Sequence, residues 1–178
     1  MLEEVTTELL AADGRTVPRV HVQRWMASEN ADIIGATYAF LSKPEHVERV
    51  VPPLQFDEVF DFMLHYYEFC LKKNPTSEWA NSSYSAGMDL VGWFVSMWDE
   101  GRDKKYLERI KSHLADLYTS GSAELKKCIE HAIIEHLFER KPIRNFFSDW
   151  QDDPRLRPAF EEGMLWIKGG GRSPLTER

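Results

Sequence analysis

The chain has 178 residues, 43% of them hydrophobic and 12% aromatic, with a net charge of −7 and a pI near 5.4. This length allows one well-buried core and is short for two, and the hydrophobic content excludes a disordered chain. The acidic balance argues against a general nucleic-acid binder, which would need a basic face to displace counterions.

The N-terminal sequence and the cysteines indicate a cytoplasmic protein. Residues 1–15 are acidic and lack the apolar core of a signal peptide, and no apolar run approaches the roughly 20 residues of a membrane span. Cys70 and Cys128 each lie in an apolar helical pattern without a second thiol nearby, which is typical of reduced core cysteines. We therefore expect no membrane segment, no disulfide and no cofactor.

Before residue 56, residues 15–55 have the least regular pattern. Residues 1–12 predict a short amphipathic helix, and Pro52-Pro53 ends the whole segment. Three stretches lie between them: Val17–Met26, which alternates weakly; Asn30–Leu41, which fits a helix or a strand; and Pro44–Val51, which predicts one or two helical turns.

From residue 56 onwards the pattern is helical throughout. The predicted helices cover about Asp57–Lys73, Ser82–Asp99, Asp103–Thr119, Ser122–Arg140, Ile143–Trp150 and Pro154–Lys168. The short loops between them make neighbouring helices antiparallel. The sequence thus predicts an all-α, single-domain antiparallel bundle, with HEAT-like stacking left open. Its parts would be an irregular or helical N-terminal segment packed on the core (1–55), the helical core domain (56–168) and a flexible tail (169–178).

One stretch of the chain combines aromatic and acidic residues. Residues 55–98 hold 11 of the 22 aromatic residues, and residues 57–100 carry −6 of the net charge of −7. Aromatic anchors among charged groups are typical of tight protein interfaces, and a local negative field steers a basic partner. We expect a partner to be bound by Asp57, Asp61, Glu78, Trp79, Asp99 and Glu100. Trp79 belongs to this set because it lies in a polar loop, although it could instead fold back onto the core.

The first two helices of the core leave alternatives open. On the first, only a narrow stripe is polar (Asp61, His65, Glu68 and Lys72), so the helix either is central or reserves a face for a partner. On the second, Gly92 lies in a stripe of small residues, where glycine is about 1 kcal/mol less favourable than alanine. We expect another backbone to approach closely at Gly92, with a ligand groove as the alternative.

No catalytic or metal-binding motif is complete. His131 and His136 flank Glu135, but residues five apart lie about 140° around a helix and cannot converge on one ion. We expect His136 to be a hydrogen-bonded core residue. Asp57 and Asp61 could pair for acid–base catalysis, yet carboxylates at this spacing usually form a solvated face. We predict no catalytic residue, no metal and no enzymatic activity; a hydrolase that uses His131 and Glu135 is the enzymatic alternative.

Three segments carry a resemblance to a known kind of protein. Asp89–Trp98, Ile134–Glu139 and Ile143–Trp150 resemble an uncharacterised family of small acidic all-helical bacterial proteins encoded beside secreted or contact-dependent toxins. The resemblance covers roughly Phe56–Ile167 and implies an immunity protein, which binds and neutralises its toxin without chemistry. The implied partner is a cognate protein toxin. An acidic face of the immunity protein would bind it, because such toxins are basic around their active sites.

A second functional class fits the same sequence. A helical adaptor or scaffold could bind an endogenous partner or self-associate through an aromatic patch. The sequence leaves the oligomeric state and the role of residues 15–55 open.

Overall fold

The structure is all-α, as the sequence predicts, and is a computed structural model that describes residues 1–11 and 14–170. Its helices are α1 (Leu2–Leu10), α2 (Arg19–Met26), α3 (Ala31–Leu41), α4 (Pro44–Val47), α5 (Phe56–Lys73), α6 (Ser83–Asp99), α7 (Lys104–Ser120), α8 (Ala123–Ile129), α9 (Glu135–Phe138), α10 (Lys141–Phe146) and α11 (Arg157–Lys168). A π-helical segment, Glu130–Ile134, joins α8 to α9, and a 3-10 helix, Ser148–Gln151, follows α10. In the described residues, the strands β1 (Val17–Pro18) and β2 (Val50–Val51) form a short parallel pair.

Backbone contacts divide the chain into two compact units, Met1–Ser82 and Ser83–Arg178. The division falls in the loop between α5 and α6. Thus α5, with which the predicted 56–168 domain begins, belongs to the first unit together with the N-terminal segment. Most of the predicted tail lies outside the described residues; its first two residues, Gly169 and Gly170, are exposed.

Helix α3 makes most of the helix contacts of the first unit. It packs against α1, α2, α4 and α5, and Ile34, Ala36 and Phe40 are completely buried. The side chain of Asn30 accepts hydrogen bonds from the backbone N–H groups of Asp32 and Ile33, at 3.0 and 3.2 Å. These bonds cap the backbone N–H groups that are left without a partner at the start of a helix. Of the two alternatives for this stretch, helix or strand, the helix is correct.

Arg49 links segments that are far apart in sequence. Its side chain is 9% exposed. Its guanidinium donates to the Arg15 carbonyl at 2.9 Å and to both the carbonyl and the carboxylate of Glu8, at 3.1 and 3.0 Å. The Val17 N–H also donates to the Arg49 carbonyl. The irregular part of the N-terminal segment is therefore fixed by long-range bonds, not by local preference.

Helix α5 is a core helix of the first unit. Four of its aromatic residues are at most 4% exposed: Phe60, Phe62, Tyr66 and Tyr67. Its polar stripe is at the surface, since Asp61, His65 and Lys72 are exposed and Glu68 is half-buried. The buried rings show a core-facing side of this helix, and the prediction that another face is reserved for a partner stays a prediction.

In the second unit, α8, the π-helical segment and α9 form one continuous helix, as predicted for Ser122–Arg140. The Ser122 hydroxyl caps it by accepting from the Leu125 N–H at 3.3 Å. The helix contacts α6 and α11. The predicted buried faces of α7 and of this helix are confirmed, and they consist of Tyr106, Leu107, Ile110, Leu114, Leu117 and Tyr118 on the first, and Leu125, Ile129, Ala132, Ile133, His136 and Leu137 on the second.

The expectation for Gly92 is wrong. Gly92 is exposed, and a Cβ placed on it would meet no described atom within 4 Å. The stripe of small residues on α6 faces solvent because Leu90, Val91 and Phe94 supply the buried side of that helix. Close approach occurs instead at Gly87, where a Cβ would lie 2.8 Å from the Cβ of Ala132.

Gly35 of α3 makes the tightest backbone approach in the first unit. A Cβ on Gly35 would lie 2.3 Å from the carbonyl carbon and oxygen of Trp79 and 2.4 Å from the nitrogen of Ala80. These neighbours are backbone atoms, which cannot rotate away. The loop after α5 therefore rests directly on the α3 backbone.

We predict opposite effects for alanine at two glycines. Gly35→Ala should lower the free energy of unfolding by about 3 kcal/mol, because the new methyl group displaces the Trp79–Ala80 backbone. Gly92→Ala should raise it by about 0.5–1 kcal/mol, since a solvent-facing helix position gains propensity without a clash. Urea unfolding followed by circular dichroism measures both. A neutral effect of Gly35→Ala would contradict the described contact.

Candidate partner-binding site

The start of α5 is fixed by the Glu58 side chain. Its carboxylate accepts a hydrogen bond from the Gln55 N–H at 2.8 Å and two from the Arg19 guanidinium, at 2.7 and 2.8 Å. Arg19 also donates to the Pro53 carbonyl at 2.8 Å. The bond from the Gln55 N–H, followed by Gln23 and Arg19, lowers the pKa of Glu58 below its ordinary value. The first turn of α5 is thereby held against the segment that precedes it.

Asp57 and Asp61 are both exposed on α5. Because they are four residues apart, they lie on one side of the helix, one turn from each other. The charge of Asp57, in the first turn, also agrees with the helix dipole. This turn presents two carboxylates on a fixed backbone.

Phe56 is the aromatic residue that the sequence analysis missed. It is 43% exposed and lies next to Asp57, whereas the neighbouring rings on α5 are in the core. Its ring centroid is 6.2 Å from that of Phe60. Its place in the first turn of the helix, ahead of the apolar stripe, is the signal that could have indicated its exposure. The exposed acidic turn of α5 therefore includes one partly exposed ring, that of Phe56, and not an aromatic face.

Glu78 and Trp79 lie in the loop after α5, which is held in place at several points. The Ser77 hydroxyl accepts from the N–H groups of Trp79 and Ala80, at 3.2 and 2.7 Å, and Ala80 is buried. Glu78 is exposed and Trp79 is half-buried. The indole is thus neither fully in the core nor fully at the surface.

The loop returns to the middle of α5 at Tyr66. The Tyr66 hydroxyl accepts from the Asn81 N–H at 3.2 Å, and its ring stacks on Tyr38 with centroids 3.9 Å apart. Burial raises the pKa of Tyr66 well above its ordinary value, which keeps the phenol neutral. The loop is thus bonded to the buried side of α5 at Tyr66, in the middle of the helix.

Asp99 and Glu100 belong to the second unit. Both are exposed. Asp99 accepts from Arg140 at 2.8 Å, and Glu100 accepts from Arg102 at 2.9 Å. Their charge is therefore matched by nearby cations of the same unit.

Three metal-ligating side chains converge elsewhere in the second unit. Ligand atoms of His131, Glu135 and Glu162 all lie within 4.8 Å of one another, and the His131 Nδ1 is 2.6 Å from a carboxylate oxygen of Glu135. His136 stays apart from them, because it is buried against Trp166 and bonds to Glu139 at 3.2 Å. The expectation of a hydrogen-bonded core histidine is confirmed for His136. Glu162 was missed because it is on α11, far away in sequence.

Comparison with known protein-family models, with curated proteins and with solved structures gave no match. None of the described helices has both the length and the apolar character needed to cross a membrane.

We predict that the Glu58 contacts stabilise the first unit in a pH-dependent way. Because the pKa of Glu58 is lowered in the folded state, this stabilisation is present above pH 4.5 and is lost as the pH falls through the folded-state pKa. Glu58→Ala should lower the free energy of unfolding by about 1 kcal/mol at pH 7, with a smaller difference from the parent at pH 3. Urea titrations at both pH values measure this. An equal difference at both would contradict a role for the charge; Glu48→Ala is the exposed control.

Proposed function

We propose that this chain binds and neutralises a basic bacterial protein toxin through the acidic groups of its first unit. The observation that supports this most directly is the first turn of α5, where partly exposed Phe56 adjoins exposed Asp57, with Asp61 one turn further. Glu78 and Trp79 add a second carboxylate-and-ring pair from the anchored loop. The resemblance to immunity proteins gives this surface its expected partner.

Charge accounts for the speed of binding in this proposal. Exposed carboxylates act over about 8 Å at physiological ionic strength, and complementary fields raise association rates by about 10- to 1,000-fold. No hydrogen bond or ion pair joins the Glu78 carboxylate to another residue that the structure describes. It can therefore bind a cation of the partner without giving up a contact of its own.

The rings account for the lifetime of the complex. Partly buried aromatic side chains lose little rotational freedom on binding and contribute much of the energy of a typical interface. The bonds to Ser77 and Tyr66 already fix the backbone around Trp79. Such a loop needs little further ordering when a partner binds.

Charge reversal tests the surface. Tagged protein from the native host should capture one basic partner in stoichiometric amount, and the triple variant Asp57→Lys, Asp61→Lys, Glu78→Lys should reduce the association rate at least about tenfold at low salt. The control Glu29→Lys, Glu45→Lys, Glu48→Lys makes the same change in net charge at exposed positions of the same unit. It should retain binding within about twofold. Equal losses in both variants would contradict a local site.

Growth tests neutralisation. The captured partner, expressed alone, should arrest its host, and co-expression of the parent chain but not of the reversal variant should restore growth. A harmless partner would contradict the proposal and favour the adaptor. Recovery of the chain without a partner, as a defined dimer by light scattering, would favour self-association.

A further inference from the structure

We infer that His131, Glu135 and Glu162 form a binding site for a divalent transition-metal ion, with Zn²⁺ best suited to the donors. The site lies wholly within the second unit and does not depend on the proposed toxin binding. It joins the π-helical segment and α9 to α11.

The three donors already converge. Their ligand atoms lie within 4.8 Å of one another, whereas Zn²⁺ bonds of about 2.0–2.2 Å place tetrahedral ligand atoms about 3.4 Å apart. Closing the site requires a contraction of at most about 1.4 Å between the donors, while the His131 Nδ1 and the Glu135 oxygen, now 2.6 Å apart, must separate by about 0.8 Å. The His131 side chain is 48% exposed, and Glu162 is half-buried. Because these two side chains have solvent access, the adjustment falls to them and not to buried Glu135.

The charges of the cluster favour a cation. The Glu135 side chain is only 9% exposed, and its carboxylate contacts the His131 imidazole. No hydrogen bond or ion pair joins the Glu162 carboxylate to another residue in the described part of the chain. Two carboxylates beside one imidazole leave negative charge in a partly buried place, which a divalent ion would compensate.

The surroundings provide both space and support. An open depression of about 440 Å³ is lined by Glu135, Glu162, Leu165, Trp166, Gly169 and Gly170. It leaves room for water as a further ligand, as in zinc sites with three protein donors. Next to Glu162, Gly163 lets α11 lie close to α9, since a Cβ there would be 2.6 Å from the Phe138 ring. His131 itself belongs to a π-helical segment, a local geometry often found at functional sites.

The donor set selects the class of ion. An imidazole with two carboxylates suits Zn²⁺ and neighbouring first-row ions, whereas Mg²⁺ and Ca²⁺ prefer sites made of oxygen atoms alone. The site should therefore discriminate strongly against Mg²⁺.

Titration of the metal-free full-length chain tests the site. Isothermal titration with Zn²⁺ should show one equivalent bound, and Co²⁺ should give the visible absorption bands of a low-symmetry site with nitrogen and oxygen donors. Glu162→Gln and His131→Gln should each weaken Zn²⁺ binding at least about tenfold. Both positions have solvent access, so these variants should keep the parent circular dichroism spectrum.

Glu161→Gln is the matched control, because it removes the same charge from the adjacent, exposed residue of α11. It should change the Zn²⁺ affinity less than twofold. Absence of Zn²⁺ binding by the parent chain would overturn the inference. Parent-like affinity in both Glu162→Gln and His131→Gln would also overturn it, because the ion would then bind elsewhere.

Discussion

The first unit depends on the direct contact between Gly35 and the backbone of Trp79 and Ala80. Helix α3 packs against four other helices of this unit, so the position of the loop after α5 follows from the position of α3. With Ser77 and Tyr66 holding the same loop by hydrogen bonds, the loop has little freedom. The positions of the proposed binding residues Glu78 and Trp79 thus depend on Gly35, because any side chain there would displace the loop.

The acidic and aromatic residues that coincide in sequence separate in the structure. Tyr66 and Tyr67 and most other rings of α5 form the core, while Asp57 and Asp61 face outward. The buried rings hold the helix backbone that carries the two carboxylates. A rigid array of like charges costs stability through self-repulsion, and a protein retains it only where the charges are used or tolerated.

Much of the helical architecture could be predicted from sequence. The helices from α5 to α7 begin and end within one residue of their predicted positions, because long apolar periodicity is bounded there by Asn74-Pro75, Gly101 and Gly121. The parallel pair β1 and β2 could not be predicted, since each strand has two residues and exists only through contact with the other. The prediction of a close backbone approach at Gly92 was wrong for a related reason. A helical wheel shows which residues share a face, but not whether that face packs against another helix.

The candidate sites show the same limit. Asp57 and Asp61 are neighbours because of helical periodicity alone, so the sequence could predict that they share a face. Glu162 comes close to His131 only through the packing of α11, and no local pattern records that approach. Burial of Glu135 was likewise hidden, because an α-helical wheel assigns it no place on the apolar stripe.

The π-helical segment Glu130–Ile134 also has a consequence for how this chain can vary in length. Its wider turn accommodates a residue that a regular α-helix would not hold. Because the wide turn takes up that residue, the helix on either side keeps its phase. Deleting one residue within the segment should therefore leave Leu137 and Phe138, both fully buried, facing the core. A deletion in a regular stretch of the same helix would instead turn every downstream side chain by about 100°. The π-helical segment is thus the place where this helix can differ in length by one residue at the least cost to the core.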